Sequence, residues 1–381
     1  MVPRYLNALV VLGSLLVLTG SVVPVGADGS VVSECSVTLS TDQSIQAAID
    51  DAGNGDTVCL ETGTWQESVA ISKSLTLRGL GDERSTVRSS GENDDTVSIR
   101  SPEPEHRMIE LRNLELLGGE SGIDVVGSSL TQSASLNVRN VRIANTGIGM
   151  RINGPDVTAT VRDSVIEAND GLGIVADRAE ALTVVDSVIA ENHGTGLDLA
   201  NGVQATIRSS TIRDTAAVSL PGQAMGQVGI GINVGADSRL ELIDSVVRNN
   251  GAEEAQGSSS NGGIVVGAFA GAPFEPTPAT ADIQNSRIEA NWLGVLIGQA
   301  ADLHMAGTTV LGNRSWGLAG NAIPCGTTPA FTGMDQIMGD VQFDEGNVVE
   351  GNNVGGHLDG EGNPGKHPFE NSADGQVCLP R

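Results

Sequence analysis

From about residue 57 to 355 the chain is built of short runs in which apolar and polar residues alternate, and these runs return at a fixed interval. VRDSVIEANDGLGIVA (161–176) is followed by VVDSVIAENHGTGLDL (184–199), then by IRSSTIRDT (207–215). Ile143, Ile166, Ile189 and Ile212 step by 23 residues each time, and the column continues through Val247, Ile288, Val310 and Val349. A second apolar column runs Val138, Val161, Val184, Ile207, Leu242, Ile283, Met305. A third follows the glycines at 149, 173, 196, 231, 263, 294 and 317. A period in the twenties marks a stacked repeat. No segment of the unit keeps helical periodicity for ten residues, and each run is short enough to bury only one face of a strand. The pattern therefore predicts an all-β fold, a parallel β-helix with three short strands per coil. Roughly 12 coils at ~4.8 Å give a rod about 55 Å long.

Before the first coil, QSIQAAIDDA (43–52) places Ile45, Ala48 and Ile49 at helical spacing, with Thr41, Asp42 or Ser44 as N-cap. Such a helix covers the open end of the stack, where unpaired backbone groups invite association. An Asn recurs between two columns (145, 169, 192, 250, 291, 313, 352). It is expected to turn the chain through a left-handed conformation and to bond to its neighbours along the rod.

The period lapses in the C-terminal half: Ile212 to Val247 is 35 residues and Val247 to Ile288 is 41. The extra residues fall at 215–228, 250–262, 268–280 and about 319–340, and insertions in repeat proteins often mark a binding face. Beside the first two, Arg213, Arg248 and Glu289 take the outward position on three successive coils, with Trp292 and Trp316 close by. Arg and a carboxylate near an exposed ring suit a glycan, and these five are the candidate binding residues. Asp163 and Asp186 stack on adjacent coils and are weak candidates for Ca²⁺; otherwise no metal or cofactor is expected.

Composition narrows the setting. The N-terminal 27 residues, with Arg4, an apolar run at 8–18 and a small-residue site ending at Ala27, form a signal peptide. The mature chain is thus expected to be secreted or periplasmic, without membrane insertion. Four cysteines allow three connectivities; local pairing, Cys35–Cys59 and Cys325–Cys378, would staple the two ends. Net charge is −26, with two lysines against 19 arginines. No basic stripe is visible along the chain, which counts against a nucleic-acid partner. The organisation expected is a signal peptide (1–27), an N-terminal strand and capping helix (28–56), the β-helix (57–355) and a stapled tail (356–381).

SIQAAIDDAGNGDTVCLETGTWQESVAISKSLTLRGLG (44–81) resembles the N-terminal segment of right-handed parallel β-helix proteins of the pectin lyase-like superfamily. The resemblance implies a right-handed coil over nearly the whole mature chain. That superfamily spans pectate lyases, polygalacturonases, pectin methylesterases, epimerases and proteins without known activity. GTWQE (63–67) is similar to the GxYxE of pectin methylesterases, but their DFIFG segment is absent, as are the GHG and RIK motifs of polygalacturonases. Copper-associated relatives are also similar in their repeats, yet His106, His193, His304, His357 and His367 form no spaced cluster. The expected function is non-catalytic binding of polysaccharide or a cell-surface glycan. The alternatives are a divergent polysaccharide lyase or glycoside hydrolase working in a groove on the β-helix face, and a structural or adhesive surface rod.

Overall fold

The structure is a computed structural model that describes residues 34–100, 106–126, 133–216, 229–251, 261–267, 278–298, 300–320, 340–354 and 377–378. Nearly all of these belong to one compact unit, Cys35–Arg381. The segment read as a signal peptide, most of each insertion and the expected Cys325–Cys378 pairing lie outside the described residues.

Among the described residues, three parallel sheets form, with 12, 11 and 11 strands. One coil contributes a strand to each in turn, as in Ala134–Arg139, Arg142–Ala144 and Ile148–Asn153, before Val157–Arg162 returns to the first sheet. The fold is the right-handed parallel β-helix expected, and its register follows the sequence columns. Val138 pairs with Val161, Val184, Ile207, Leu242, Ile283 and Met305 in succession. Ile143 leads through Ile166, Ile189, Ile212, Val247, Ile288 and Val310 to Val349. All but the last of these lie within 1% of full burial and fill one continuous core. Val377–Cys378, in the stretch read as a tail, adds the last strand of the third sheet beside Leu318 and Ala319.

At the corner between the second and third sheets the backbones approach so closely that side chains are excluded. A Cβ on Gly173 would lie 2.4 Å from the carbonyl oxygen of Gly196 and 2.8 Å from the Asn192 amide. Beside these glycines runs a buried ladder. The Asn250 Oδ1 accepts from the Thr215 N–H at 3.1 Å, while its Nδ2 donates to Ile212 O at 3.2 Å and to Asn291 Oδ1 at 3.0 Å. Asn169–Asn192 and Asn291–Asn313–Asn352 repeat the arrangement. The expected bonding along the rod is present, but the expected turn geometry belongs to the preceding residue. Ala168, Glu191, Asp214, Asn249 and Ala290 carry φ of 52–56°. Asn145, counted as a ladder member, has φ 55° and sits at that turn position, and Thr146 takes the ladder rung. The difference is one residue of register: Ile143 precedes Asn145 by two, whereas Ile166 precedes Asn169 by three.

A second ladder lines the other corner. Ser164, Ser187, Ser210, Ser245 and Ser286 are buried, and each hydroxyl accepts the N–H of the coil before, as Ser187 Oγ does from Ser164 N at 3.2 Å. Both ladders answer one requirement, since the corner amides are dry and a lost partner leaves them unpaired.

The N-terminal helix α1 (Ile45–Asp51) buries Ile45 and Ile49 over the first coil and is capped by Ser44. GTWQE proves to be its clasp. Glu67 accepts from the Ile45 and Gln46 N–H groups at 2.8 and 3.0 Å, and Trp65 Nε1 donates to Gln43 O at 3.1 Å. A carboxylate suits the positive helix start. Lys73 holds the other end through the carbonyls of Asp50 and Ala52. Cys35, two residues before the strand Val37–Leu39, is disulfide-bonded to Cys59 in the strand Asp56–Leu60.

Register also corrects the reading of charge. Arg78, Arg112, Arg139 and Arg162 face outward at one position on four successive coils of the first sheet, and Arg208 follows after Val185. Spacings of 34, 27, 23 and 46 residues hid this basic row in the linear sequence.

One rung of the Asn ladder is defective: Thr215, like Thr146, stands where most rungs hold Asn, and its buried Oγ1 has no hydrogen-bond partner among the described residues. Thr215→Asn is expected to raise stability by about 1 kcal/mol by completing the ladder. Asn250→Ala should lower it by about 3 kcal/mol, since it strands both a corner N–H and a carbonyl. Urea denaturation of both variants measures these differences, and a neutral Asn250→Ala would remove the ladder as a source of stability.

Candidate functional site

The outward face of the third sheet concentrates the chemistry. One row on it reads Ser98, Asp124, Arg151, Val175, Asp198, Asn233, and the row beside it Arg100, Val126, Asn153, Asp177, Ala200. Strand alternation turns these side chains away from the core, while Ile123, Met150, Ile174 and Leu197 point inward and are fully buried. Beyond Asn233 the outward positions become Val265, Leu296 and Ala319, which are buried in a separate apolar cluster with Ile230, Leu293 and Trp316. The polar half of the face lies toward the N-terminus.

Asp124 is the focus of that half. Only 2% of it is exposed, although it faces outward. Its Oδ2 accepts from Arg100 Nη2 at 3.3 Å, and Arg151 Nη1 lies 3.8 Å from Oδ1. Arg100 also reaches Asp95 at 3.6 Å, and Arg151 reaches Glu120 at 3.2 Å. Burial, and next the charge of Asp95 beside it, push the Asp124 carboxyl up to about 6, against the pull of the two guanidiniums. Among the described residues its Oδ1 has no hydrogen-bond partner, and neither does the buried hydroxyl of Ser121 three residues earlier. The Asp124 carboxyl can exchange a proton near pH 6, beside two guanidiniums of the kind that bind oxyanions or hydroxyls.

Farther along the same row Asp198 is raised too, chiefly by burial, while a 2.7 Å hydrogen bond from Asn233 Nδ2 opposes the shift. Asp177, in the adjacent row, accepts from Asn201 at 2.6 Å and pairs with Arg178 at 3.4 Å. The face therefore offers donors and acceptors on successive coils at ~4.8 Å intervals.

No local motif announced this cluster. Asp95 comes from the turn before Val97–Arg100, Asp124 from the next coil and Arg151 from the one after. Only the pairing of Ser98 with Asp124 and of Asp124 with Arg151 converges them. The one available signal was an Asp inside an otherwise apolar strand, SGIDVV.

The residues singled out from sequence are arranged differently. Arg213, Arg248 and Glu289 do stack in register on the second sheet. Arg213 is engaged by Asp214 and by Glu191 at 3.2 Å; the hydrogen bond with Asp214, above all, raises its pKa. Glu289 is held by Arg287 at 2.5 Å. Among the described residues Arg248 has no ion-pair partner. Trp316 is 3% exposed and packs against the outer apolar cluster, so its ring does not serve as an open platform. Trp292 is half-buried at the edge of the same cluster. Asp163 and Asp186 occupy left-handed turn positions (φ 52° and 49°), and each faces the arginine of the preceding coil, Arg139 at 3.6 Å and Arg162 at 3.9 Å. Among the described residues no group of three or more His, Cys, Asp or Glu side chains converges as metal ligands would. No described helix is long and apolar enough to cross a membrane.

The family model for the right handed beta helix region matches residues 105–277. No curated protein matches the chain. Among solved structures, pectate lyase Pel9A is 13% identical, with 89% of this chain and 82% of that chain covered, at a TM-score of 0.49. An alginate lyase from Paenibacillus sp. str. FPU-7 is 14% identical, with 82% and 98% covered, at 0.49. The A-module of mannuronan C-5 epimerase AlgE6 from Azotobacter vinelandii is 16% identical, with 80% and 93% covered, at 0.43. With three parallel sheets in coil-by-coil register, the chain folds as a right-handed parallel β-helix, and its residues 105–277 match the family model of that region.

Proposed function

We propose that this protein binds a polysaccharide along the polar outward face of its third sheet. The observation that carries the reading is the pair of in-register rows from Arg100 to Asn233, in which Asp, Asn and Arg side chains recur coil by coil. A linear polymer of repeating, hydroxyl-bearing units suits a linear array of repeating hydrogen-bonding groups. Arg248 lies on the second sheet and Trp292 beside the apolar half of the third, so both are accessory at most in this reading.

A second reading, turnover rather than binding alone, is favoured by Asp124. A carboxyl near 6 with a second carboxylate and two guanidiniums beside it has the parts of a general acid or base for glycosidic-bond chemistry.

Retention of the purified protein on a panel of neutral and acidic glycans tests the first reading. The double variant Arg151→Gln, Asn153→Ala is expected to weaken retention by about tenfold or more, two hydrogen-bonding groups being removed. Retention equal to the native protein on every retained glycan would sink this face as the binding site. Asp124→Asn separates the readings. If the protein is catalytic, the variant keeps binding and loses release of unsaturated ends or reducing ends; if it only binds, native protein releases neither.

The protonation of Asp124 has its own check. Its folded-state value of about 6 lies above the ordinary 3.8, so the native state holds the proton more tightly than the unfolded chain. The stability this contributes is fully present below about pH 4 and is lost as pH rises through 6. Asp124→Asn is neutral throughout, so its stability relative to native should rise by about 2 kcal/mol between pH 4 and pH 8. Urea unfolding at both pH values measures the difference; a difference that stays flat contradicts the assignment.

A further inference from the structure

A histidine and three hydroxyls meet on the outward face of the first sheet, on a different sheet from Asp124. Pairing of the strand Arg107–Arg112 with Ala134–Arg139 sets Met108 beside Ser135, and the next strand sets Thr158 beside Ser135 in turn. Strand alternation points all three away from the core. His106 and Ser133 stand two residues before Met108 and Ser135, just ahead of their strands. The Arg107 N–H donates to Ser133 O at 3.1 Å and holds the two side by side. The imidazole spans both serines of the neighbouring coil. Its Nδ1 lies 2.9 Å from Ser133 Oγ and its Nε2 3.2 Å from Ser135 Oγ, while Ser135 Oγ lies 2.9 Å from Thr158 Oγ1. His106 is 27 and 29 residues from the two serines, so no Ser–His motif shows in the linear chain.

A neutral imidazole carries one N–H, so it donates to one serine and accepts from the other. Ser135, unlike Ser133, lines a shallow depression of about 500 Å³ on this face, together with Met108, Asn137 and Thr158. Ser133 is therefore assigned as acceptor from Nδ1–H, which holds the ring, and Ser135 as donor to Nε2. Thr158 then donates to Ser135 Oγ. The result is a nucleophile, a base within reach of it and a third group that orients the base, the parts that acyl transfer through serine requires. A separation of 3.2 Å is within the reach of such pairs before substrate binds.

We infer that Ser135 and His106 form a serine esterase site for neutral esters of short carboxylic acids. Ser135 Oγ attacks the ester carbonyl carbon while its proton passes to His106 Nε2. His106 hands that proton to the leaving alcohol oxygen as the C–O bond breaks, which leaves the acyl group esterified to Ser135. Water then attacks the acyl carbon and gives its proton to Nε2. The acid departs as Ser135 Oγ takes that proton back. Thr158, released once Ser135 Oγ bonds to carbon, and the Asn137 amide are donors within the depression for the charge that builds on the carbonyl oxygen. Met108 is 67% exposed and offers an acyl chain an apolar contact, but the depression is open, so only a short chain is covered. Glu110 is the one charged side chain lining it and repels an anionic acyl group. Ester turnover here does not rest on glycan binding at the third sheet, and either can fail alone.

The test treats the purified protein with p-nitrophenyl acetate, p-nitrophenyl octanoate and a fluorophosphonate, which labels a serine that a neighbouring base activates. Mass spectrometry should find the fluorophosphonate on Ser135, and the acetate should turn over severalfold faster than the octanoate. Ser135→Ala and His106→Gln should each lower acetate turnover by about 100-fold or more. Ser133 acts through the imidazole, so Ser133→Ala should lower kcat severalfold at unchanged KM, and Ser133→Thr should restore it. A lone surface imidazole also cleaves activated acetates, so turnover that survives in Ser135→Ala overturns the inference. It is equally overturned by absence of the label, by a label on another residue, or by octanoate cleaved as fast as acetate. Thermal melting of each variant separates lost chemistry from lost folding, and the label is read on the native protein, so it decides the matter even where a variant melts early.

Discussion

The parallel backbone pairing of each coil with the next is the constraint on which everything else depends. Once two coils are hydrogen-bonded in register, every position repeats its environment along the axis. A residue that suits one coil then suits the next. The corners are where this is hardest to satisfy, because the chain must turn while its amides stay dry. The Asn ladder and the Ser ladder meet that need at two of the corners, with side chains that supply the partners the backbone lacks. Glycines at the tighter corner keep side chains out of a backbone contact already near 2.4 Å from any added Cβ. Apolar columns alone would not hold the shape, since a buried amide without a partner costs about as much as several buried methylenes contribute.

The same register that builds the core writes rows on the surface. Arginines separated by 23 to 46 residues become neighbours on the first sheet, and Asp124 meets Arg151 and Arg100 on the third. Such rows have a built-in electrostatic problem, because identical residues at one register position repel. The protein answers it with aspartates in the turns for Arg139, Arg162 and Arg208, and with interleaved charges on the third sheet. Arg78 and Arg112 have no ion-pair partner among the described residues.

Asp124 shows the reverse situation. Two guanidiniums favour its charged form, yet burial and the nearby Asp95 outweigh them and keep the proton near neutral pH. Desolvation of a carboxylate is the larger effect at this depth, as expected when a charge gives up water without gaining a full set of hydrogen bonds. Its Oδ1, without a hydrogen-bond partner among the described residues, is the structural trace of that imbalance.

The sequence by itself determined the scaffold. Period, columns, capping helix and the Cys35–Cys59 bridge were all legible, because a repeat forces the same chemistry to recur and local spacing is then enough to see it. It misplaced one rung, Asn145, where a one-residue shift exchanges a turn position for a ladder position. It also found the stacking of Arg213, Arg248 and Glu289, which share the regular column, but not the partners that occupy two of them, nor the burial of Trp316. Only the tertiary structure decided where the charged groups converge. Asp95, Asp124 and Arg151 come from coils of unequal length, as do the arginines of the first sheet, so their meeting is fixed by backbone pairing across the irregular segments and by nothing in their sequence spacing.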